Sequence, residues 1–180
     1  MFLKVLSNFD LATTNLINQI IPHSHIFDIF FSFFSLTGNS IFIWGLVILL
    51  LVIFEERQDK RFIVYFIITF LITGSITNFV LKPSFRRIRP AEYSKPAFAS
   101  QCPNDFSFPS GHATTAFAAA ATLSAFHKKR KYFFYLIATL IAFSRIYLHC
   151  HYFLDVMAGA VLGYVTSKLI LVFALKKNRP

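Results

Sequence analysis

The chain has 180 residues, a formal charge of +10, 56% hydrophobic residues and a mean hydropathy of +0.58. A soluble domain of this size does not carry that hydropathy, and a soluble helical bundle would show polar stripes near a 3.6-residue period, so the composition points into a bilayer. The cations stand in short clusters at the ends of apolar runs, a placement that argues against nucleic acid as their partner.

In chain order, residues 1–38 come first. Phe2, Leu3, Val5, Leu6, Phe9 and Leu11 interleave with Lys4, Asn8 and Asp10, and Pro22 breaks the chain before a Phe-rich stretch over 26–36 that carries Asp28. No small-residue cleavage site follows a basic start, so this is expected to be an interfacial pair of helices on the outer surface and not a removable signal peptide. Charge-free apolar runs follow over 40–54, 62–81, 113–126 and 132–144, and a last run over 156–175 is broken only by Lys168. A hydrocarbon core of about 30 Å takes roughly 17 to 25 helical residues, so the second and fifth runs suffice alone and the others recruit flanking residues. The expected fold is an all-α integral membrane protein of about five spans, with a sixth over 26–36 as the alternative, forming a single domain over 1–180.

Arg57, Lys60 and Arg61, then Lys128 to Lys131, then Lys176, Lys177 and Arg179 share one side of a five-span chain, which the positive-inside rule makes cytoplasmic. The other side holds the N-terminus, the loop over 82–111 and the junction over 148–155. That loop is itself basic, with Lys82, Arg86, Arg87, Arg89 and Lys95, against the topological bias. Binding an anion explains cations retained there, since Arg and Lys pair with phosphate oxygens.

Three blocks at outward span ends carry the chemistry: Lys82 to Pro90, Pro109 to His112, and Ser144-Arg145 followed by His151 and Asp155. Lys82, Arg89 and Arg145 lack acidic neighbours in sequence, which suits a phosphoryl ligand. Ser110 and Gly111 precede a helix, so their amides and the Ser110 hydroxyl are expected to hold phosphoryl oxygens at the positive end of its dipole. His151 and Asp155 are four apart and share a helical face, the nucleophile-plus-orienter arrangement. His112 is left to protonate the leaving oxygen and later deprotonate water.

Other residues have blander readings. His149 has Phe153 four residues on, which cannot orient an imidazole; His23, His25 and His127 are expected to be solvated. Gly159, Gly163 and the run Ala118 to Ala121 read as close-packing seams, Trp44 as a packing residue, and Arg86 and Arg87 as solvated or headgroup-contacting. Cys102 and Cys150 both fall on the outer side, where oxidation is permitted, but nothing in the sequence requires a bond, and each reads as incidental, with a disulfide between them as the alternative. The set His112, His151 and Asp155 is a poor zinc site beside three cations, so neither metal nor cofactor is expected.

Lys82 to Pro90 matches K-x6-RP, Pro109 to His112 is PSGH, and Ser144 to Asp155 fits S-R-x5-H-x3-D. In order and spacing these resemble the three signatures of the type-2 phosphatidic acid phosphatase (PAP2) superfamily. The resemblance implies a metal-independent phosphatase working through a phosphohistidine, with His151 as nucleophile, Asp155 its partner, His112 the general acid, and Lys82, Arg89, Ser110, Gly111 and Arg145 binding phosphate. It also implies a multi-pass plasma-membrane location, an extracytoplasmic site in the 82–111 loop, and a lipid phosphate or diphosphate substrate. The compact form is most similar to undecaprenyl diphosphate phosphatases. Phosphatidylglycerol phosphate, phosphatidic acid and the 1-phosphate of lipid A are the alternatives, and a lipid phosphotransferase is the rival of another class. The sequence sets no oligomeric state.

Overall fold

The structure, a computed structural model, describes residues 2–35, 41–54, 61–94 and 102–177. Arg57, Lys60, Lys95 and Arg179, named above for their charge, lie outside them. The described residues form only helices and connections: α1 (Phe2–Ile20), α2 (His25–Ser35), α3 (Ile41–Phe54), α4 (Arg61–Ser75), which runs on through a π-helical stretch (Ile76–Leu81) into the short α5 (Lys82–Phe85), then α6 (Pro90–Ser94), α7 (Gly111–Phe126), α8 (Lys131–Tyr147) and α9 (Phe153–Lys177).

Two helical stretches, Arg61–Phe85 and Phe153–Phe173, are long and apolar enough to cross a membrane alone. Helix α2 has 11 residues, about 16 Å at 1.5 Å per residue, half of a hydrocarbon core. Pro22 lies between α1 and α2 and separates them, because its ring cannot continue a helix.

Helix α7 is central, packed on α9, α8 and α4. It can be central because it is slender: Ala113, Ala116 and Ala118 to Ala121 are all buried. The facing side of α9 is equally thin. A Cβ on Gly159 would lie 2.6 Å from the Ser110 carbonyl oxygen, and one on Gly163 would overlap the Thr114 carbonyl oxygen, so the two glycines bring backbone against backbone. Below this seam Trp44, Leu51, Phe62, Leu123, Phe134 and Ile141 fill the core. A hydroxyl ladder crosses it, from Thr69 to Thr122 at 3.1 Å and on to Ser167 at 2.9 Å, tying α4, α7 and α9.

Outside the core the bundle is apolar. Leu49, Ile53, Leu71, Leu136, Val161, Leu169 and Val172 all face outward. An apolar outer belt of this extent suits lipid and not water.

One sequence expectation is corrected here. His127 is buried, its ring edge-on to Phe62 at 4.9 Å, because the turn after α7 folds back into the core. His23 is exposed, as expected, while its ring also pairs with Asp28 at 3.1 Å and lies against Tyr147.

Candidate active site

At the outer end of the bundle, three helix boundaries converge. The π-helical stretch delivers Lys82; the N-terminus of α7 delivers Ser110, Gly111 and His112; α8 ends near Arg145, and a turn then carries His151 to the start of α9 and Asp155. His149 occupies the left-handed region of that turn (φ 55), which lets the chain double back so that the amides of Cys150 and His151 both donate to the Arg145 carbonyl, at 3.0 and 3.1 Å. The same turn points His149 away from His151, and its ring stacks on His23 at 5.7 Å.

All eight site residues predicted from sequence are buried. Lys82, Arg89, His112, Arg145 and His151 are close enough for their charges to act on one another. Arg89 Nη1 donates to the Cys150 carbonyl at 2.7 Å and lies 2.9 Å from His151 Nε2. A guanidinium can only donate, so Nε2 presents its lone pair and the proton of the neutral ring sits on Nδ1. Burial, with Arg89, Arg145 and Lys82 nearby, holds the His151 imidazole well below its ordinary value, which keeps it neutral and nucleophilic at pH 7.

The contact behind His151 is less direct than expected. Nδ1 stands 3.7 Å from Asp155 Oδ2, within electrostatic reach but beyond a hydrogen bond. The Ser107 hydroxyl fills the interval, donating to Asp155 Oδ2 at 2.5 Å and lying 3.4 Å from His151 Nδ1. A second correction concerns Ser110. Its amide donates to the Asp155 carbonyl at 3.0 Å and its hydroxyl oxygen caps α7 by accepting from the Ala113 amide, so the amide is taken by the protein and not open to a ligand. The Ser110 hydroxyl proton and the first amides of α7 remain the donors at that end. The protein around Gly111 does not itself demand glycine, since a Cβ there would meet Asn78 Oδ1 at 3.7 Å.

Two groups have unmatched valences. His112 Nε2 and Arg145 Nε and Nη2 are buried without a hydrogen-bond partner among the described residues, while Arg145 Nη1 donates to the Ser35 hydroxyl. Buried donors of this kind are expensive unless something anionic meets them.

The sequence missed a counter-charge. Lys82 and Arg89 do have an acidic partner, Asp105, which accepts from both and lies in the loop before α7. Burial pushes the Asp105 carboxyl up, but the bonds from Lys82 and Arg89 outweigh it and hold the group below its usual value. The one signal available was that the 82–111 loop contains only two acids, Glu92 and Asp105. Arg87 was misjudged as well: Nη1 donates to Asp155 Oδ1 at 2.7 Å. Cys102 and Cys150 form a disulfide, which corrects the incidental reading. The bond ties the loop carrying Asp105 to the turn carrying His151. A cavity of about 720 Å³ opens above these groups, lined by Asn78, Lys82, Arg89, Glu92, Asn104 and Asp105.

Among the described residues no group of three or more His, Cys, Asp or Glu is arranged to hold a metal ion. What the arrangement can do is bind a phosphoryl group against three cations and present it to a neutral imidazole, with a second imidazole beside it.

Known proteins bear on this geometry. The PAP2 superfamily matches residues 62–179. An undecaprenyl-diphosphatase of Sulfolobus acidocaldarius is 32% identical over 127 residues, covering 68% of this chain and 59% of its own length; the chain thus spans about three fifths of that relative. A lipid A 4'-phosphatase of Bacteroides thetaiotaomicron is 29% identical, covering 89% of this chain and 75% of its own. The crystal structure of a transmembrane PAP2-type phosphatidylglycerolphosphate phosphatase from Bacillus subtilis superposes with a TM-score of 0.66 at 25% identity, over 97% of this chain and 89% of that one. The family match and the shared fold agree with the convergence of three cations on two histidines, and the chain belongs to the PAP2 superfamily.

Proposed function

We propose that the protein hydrolyses the terminal phosphate of a membrane lipid diphosphate, with undecaprenyl diphosphate as substrate and undecaprenyl phosphate and inorganic phosphate as products. The observation that carries the mechanism is the His151 imidazole, neutral, with its Nε2 lone pair at Arg89 and its Nδ1 side toward Ser107 and Asp155. Lys82, Arg89 and Arg145 receive the phosphoryl oxygens, so that Arg89 turns from the imidazole to the substrate. His151 Nε2 then attacks the terminal phosphorus, the bond from phosphorus to the bridging oxygen breaks, and His112 gives that oxygen a proton. Water next attacks the phosphohistidine, His112 takes a proton from it, the P–N bond breaks, and phosphate leaves.

The site faces the extracytoplasmic side of the plasma membrane. The Cys102–Cys150 disulfide beside it supports that orientation, because disulfides persist in oxidising compartments. The protein crosses the membrane through α3, α4 with its continuation, α7, α8 and α9.

The test is phosphate release by the detergent-purified protein from undecaprenyl diphosphate, phosphatidylglycerol phosphate, phosphatidic acid and lipid A, measured with and without EDTA and with His151→Ala as control. Preference for undecaprenyl diphosphate, undiminished by EDTA and absent from the variant, is the expected result. Preference for another lipid refutes the substrate; activity that EDTA removes and a divalent ion restores refutes the metal-free mechanism.

A further inference from the structure

The helix that carries Asp155 begins without a cap of its own. Tyr152, the residue before α9, has no short side-chain acceptor for the first free amides of the helix, the usual task of Ser, Thr, Asp or Asn. Asp155 closes one of them by reaching back to the Tyr152 amide at 3.0 Å, half of a capping box. The next two are closed from the other end of the chain. Thr14 Oγ1 accepts from the Phe153 amide at 3.0 Å and Asp10 Oδ1 from the Leu154 amide at 2.7 Å. Thr14 donates in turn to the Asp10 carbonyl at 2.7 Å. Residues ten and fourteen are four apart, so they share one face of α1, and both are buried while Phe9, Leu16 and Ile20 on that helix are exposed.

Asp10 does more than cap. Its second oxygen, Oδ2, forms an ion pair with Arg87 Nη2 at 2.6 Å, and the other arm of the same guanidinium holds Asp155 Oδ1 at 2.7 Å. Arg87 is fixed between them by Tyr152, whose ring centroid lies 3.9 Å from its central carbon. Two buried carboxylates therefore share one cation. Asp10 draws part of the Arg87 charge away from Asp155, which leaves Asp155 more strongly negative toward His151 than a private pair with Arg87 would.

We propose that Asp10, acting through Arg87, is a positioning residue for the His151–Asp155 pair, so that seating of the N-terminal helix α1 on the start of α9 sets the reactivity of the site. This rests on the reading of His151 as nucleophile. The role is electrostatic and geometric: Asp10 touches neither the phosphoryl group nor His151, and its effect falls on the chemical step and not on phosphate binding.

Asp10→Asn separates this role from simple capping, because the Asn carbonyl still accepts from the Leu154 amide while the negative charge facing Arg87 is lost. Turnover is measured for the wild type, D10N, Arg87→Gln, the double variant and His151→Ala, on whichever lipid phosphate the wild type hydrolyses. The expected result is a fall in kcat of about ten-fold in D10N with KM within about two-fold, and no further loss when D10N is added to R87Q. Unchanged kcat in D10N, or losses that multiply in the double variant, overturns the proposal. Where D10N does not accumulate in the membrane, Arg87→Lys keeps the charge but loses the two-armed bridge and carries the same expected fall; unchanged kcat there overturns it equally. Persisting activity in H151A defeats the nucleophile reading instead, so the two failures are told apart.

Discussion

The midplane and the outer mouth of this bundle are built on opposite terms. At the midplane α7 and α9 touch through Ala118 and Gly163, backbone against backbone, and the contact asks only that the residues be small. At the mouth, Lys82, Arg87, Arg89, Asp10, Asp105 and Asp155 are linked by ion pairs, each tolerable because a particular partner stands opposite it, and Arg145 is buried beside them with Nε and Nη2 unmatched among the described residues. The contrast teaches that the midplane sets where the helix ends arrive, whereas the mouth sets what they do on arrival. A change at the midplane should alter stability, and a change at the mouth should alter turnover.

The comparison breaks first at His151. His151→Ala is expected to lower kcat by about a thousand-fold or more, with the melting midpoint of the purified protein little changed, as read by phosphate release and thermal unfolding in detergent. His149→Ala serves as the contrast and retains turnover, since that ring faces His23. The next largest effect lies at the midplane. Gly163→Val drives side-chain atoms into the Thr114 backbone and should destabilise the bundle by about 3 kcal/mol, seen as a lower melting midpoint and poor recovery from membranes. Kinetic parameters of any folded fraction are expected to stay near those of the wild type.

Cys102→Ser tests the mouth's covalent tie. The bond closes a loop of sequence separation 48, and its loss should reduce stability by about 2 kcal/mol and loosen Asp105 and His151 relative to one another, detectable as matching falls in melting midpoint and kcat/KM, mimicked by reductant. The gentlest perturbation is pH. His151 is neutral in the folded protein, its affinity for a proton held down by burial and by Arg89, Arg145 and Lys82. The unfolded chain takes up that proton below about pH 6.5, so stability is complete above that pH and declines as pH falls below it. Asp105 acts in the same direction lower down: its pairing contributes fully above about pH 4 and is lost as pH falls through its depressed folded value. A melting midpoint that falls steadily on acidification, with the portion between neutrality and pH 5 reduced in His151→Gln, is the expected outcome.

Much of the mouth was legible in the sequence because its reactive groups sit in short blocks whose spacing is fixed by local geometry. Pro109 to His112 must surround a helix start, and His151 and Asp155 must share a face. The apolar runs marked the helices for the same reason, through local composition. What escaped was pairing across distance. Asp10 meets Leu154 over 144 positions and Ser107 meets Asp155 over 48, and nothing in the neighbourhood of Asp10, between Phe9 and Leu11, distinguishes a carboxylate turned inward from one turned to water. Asp105 was hidden similarly, since a lone acid in an irregular loop has no period to read. His127 was misread because a basic neighbourhood, Lys128 to Lys131, is not evidence about the one ring that folds back beneath it.

The central claim is that His151 carries the phosphoryl group. The most direct measurement is to mix enzyme with lipid phosphate labelled in the departing group, quench with alkaline denaturant within one turnover, and locate the label by mass spectrometry of the peptides. The account predicts an acid-labile, alkali-stable phosphoramidate on His151, present in His149→Ala and missing in His151→Ala. Label on His112, His149 or any hydroxyl group, or a full burst of phosphate with no labelled protein at any time, would contradict it.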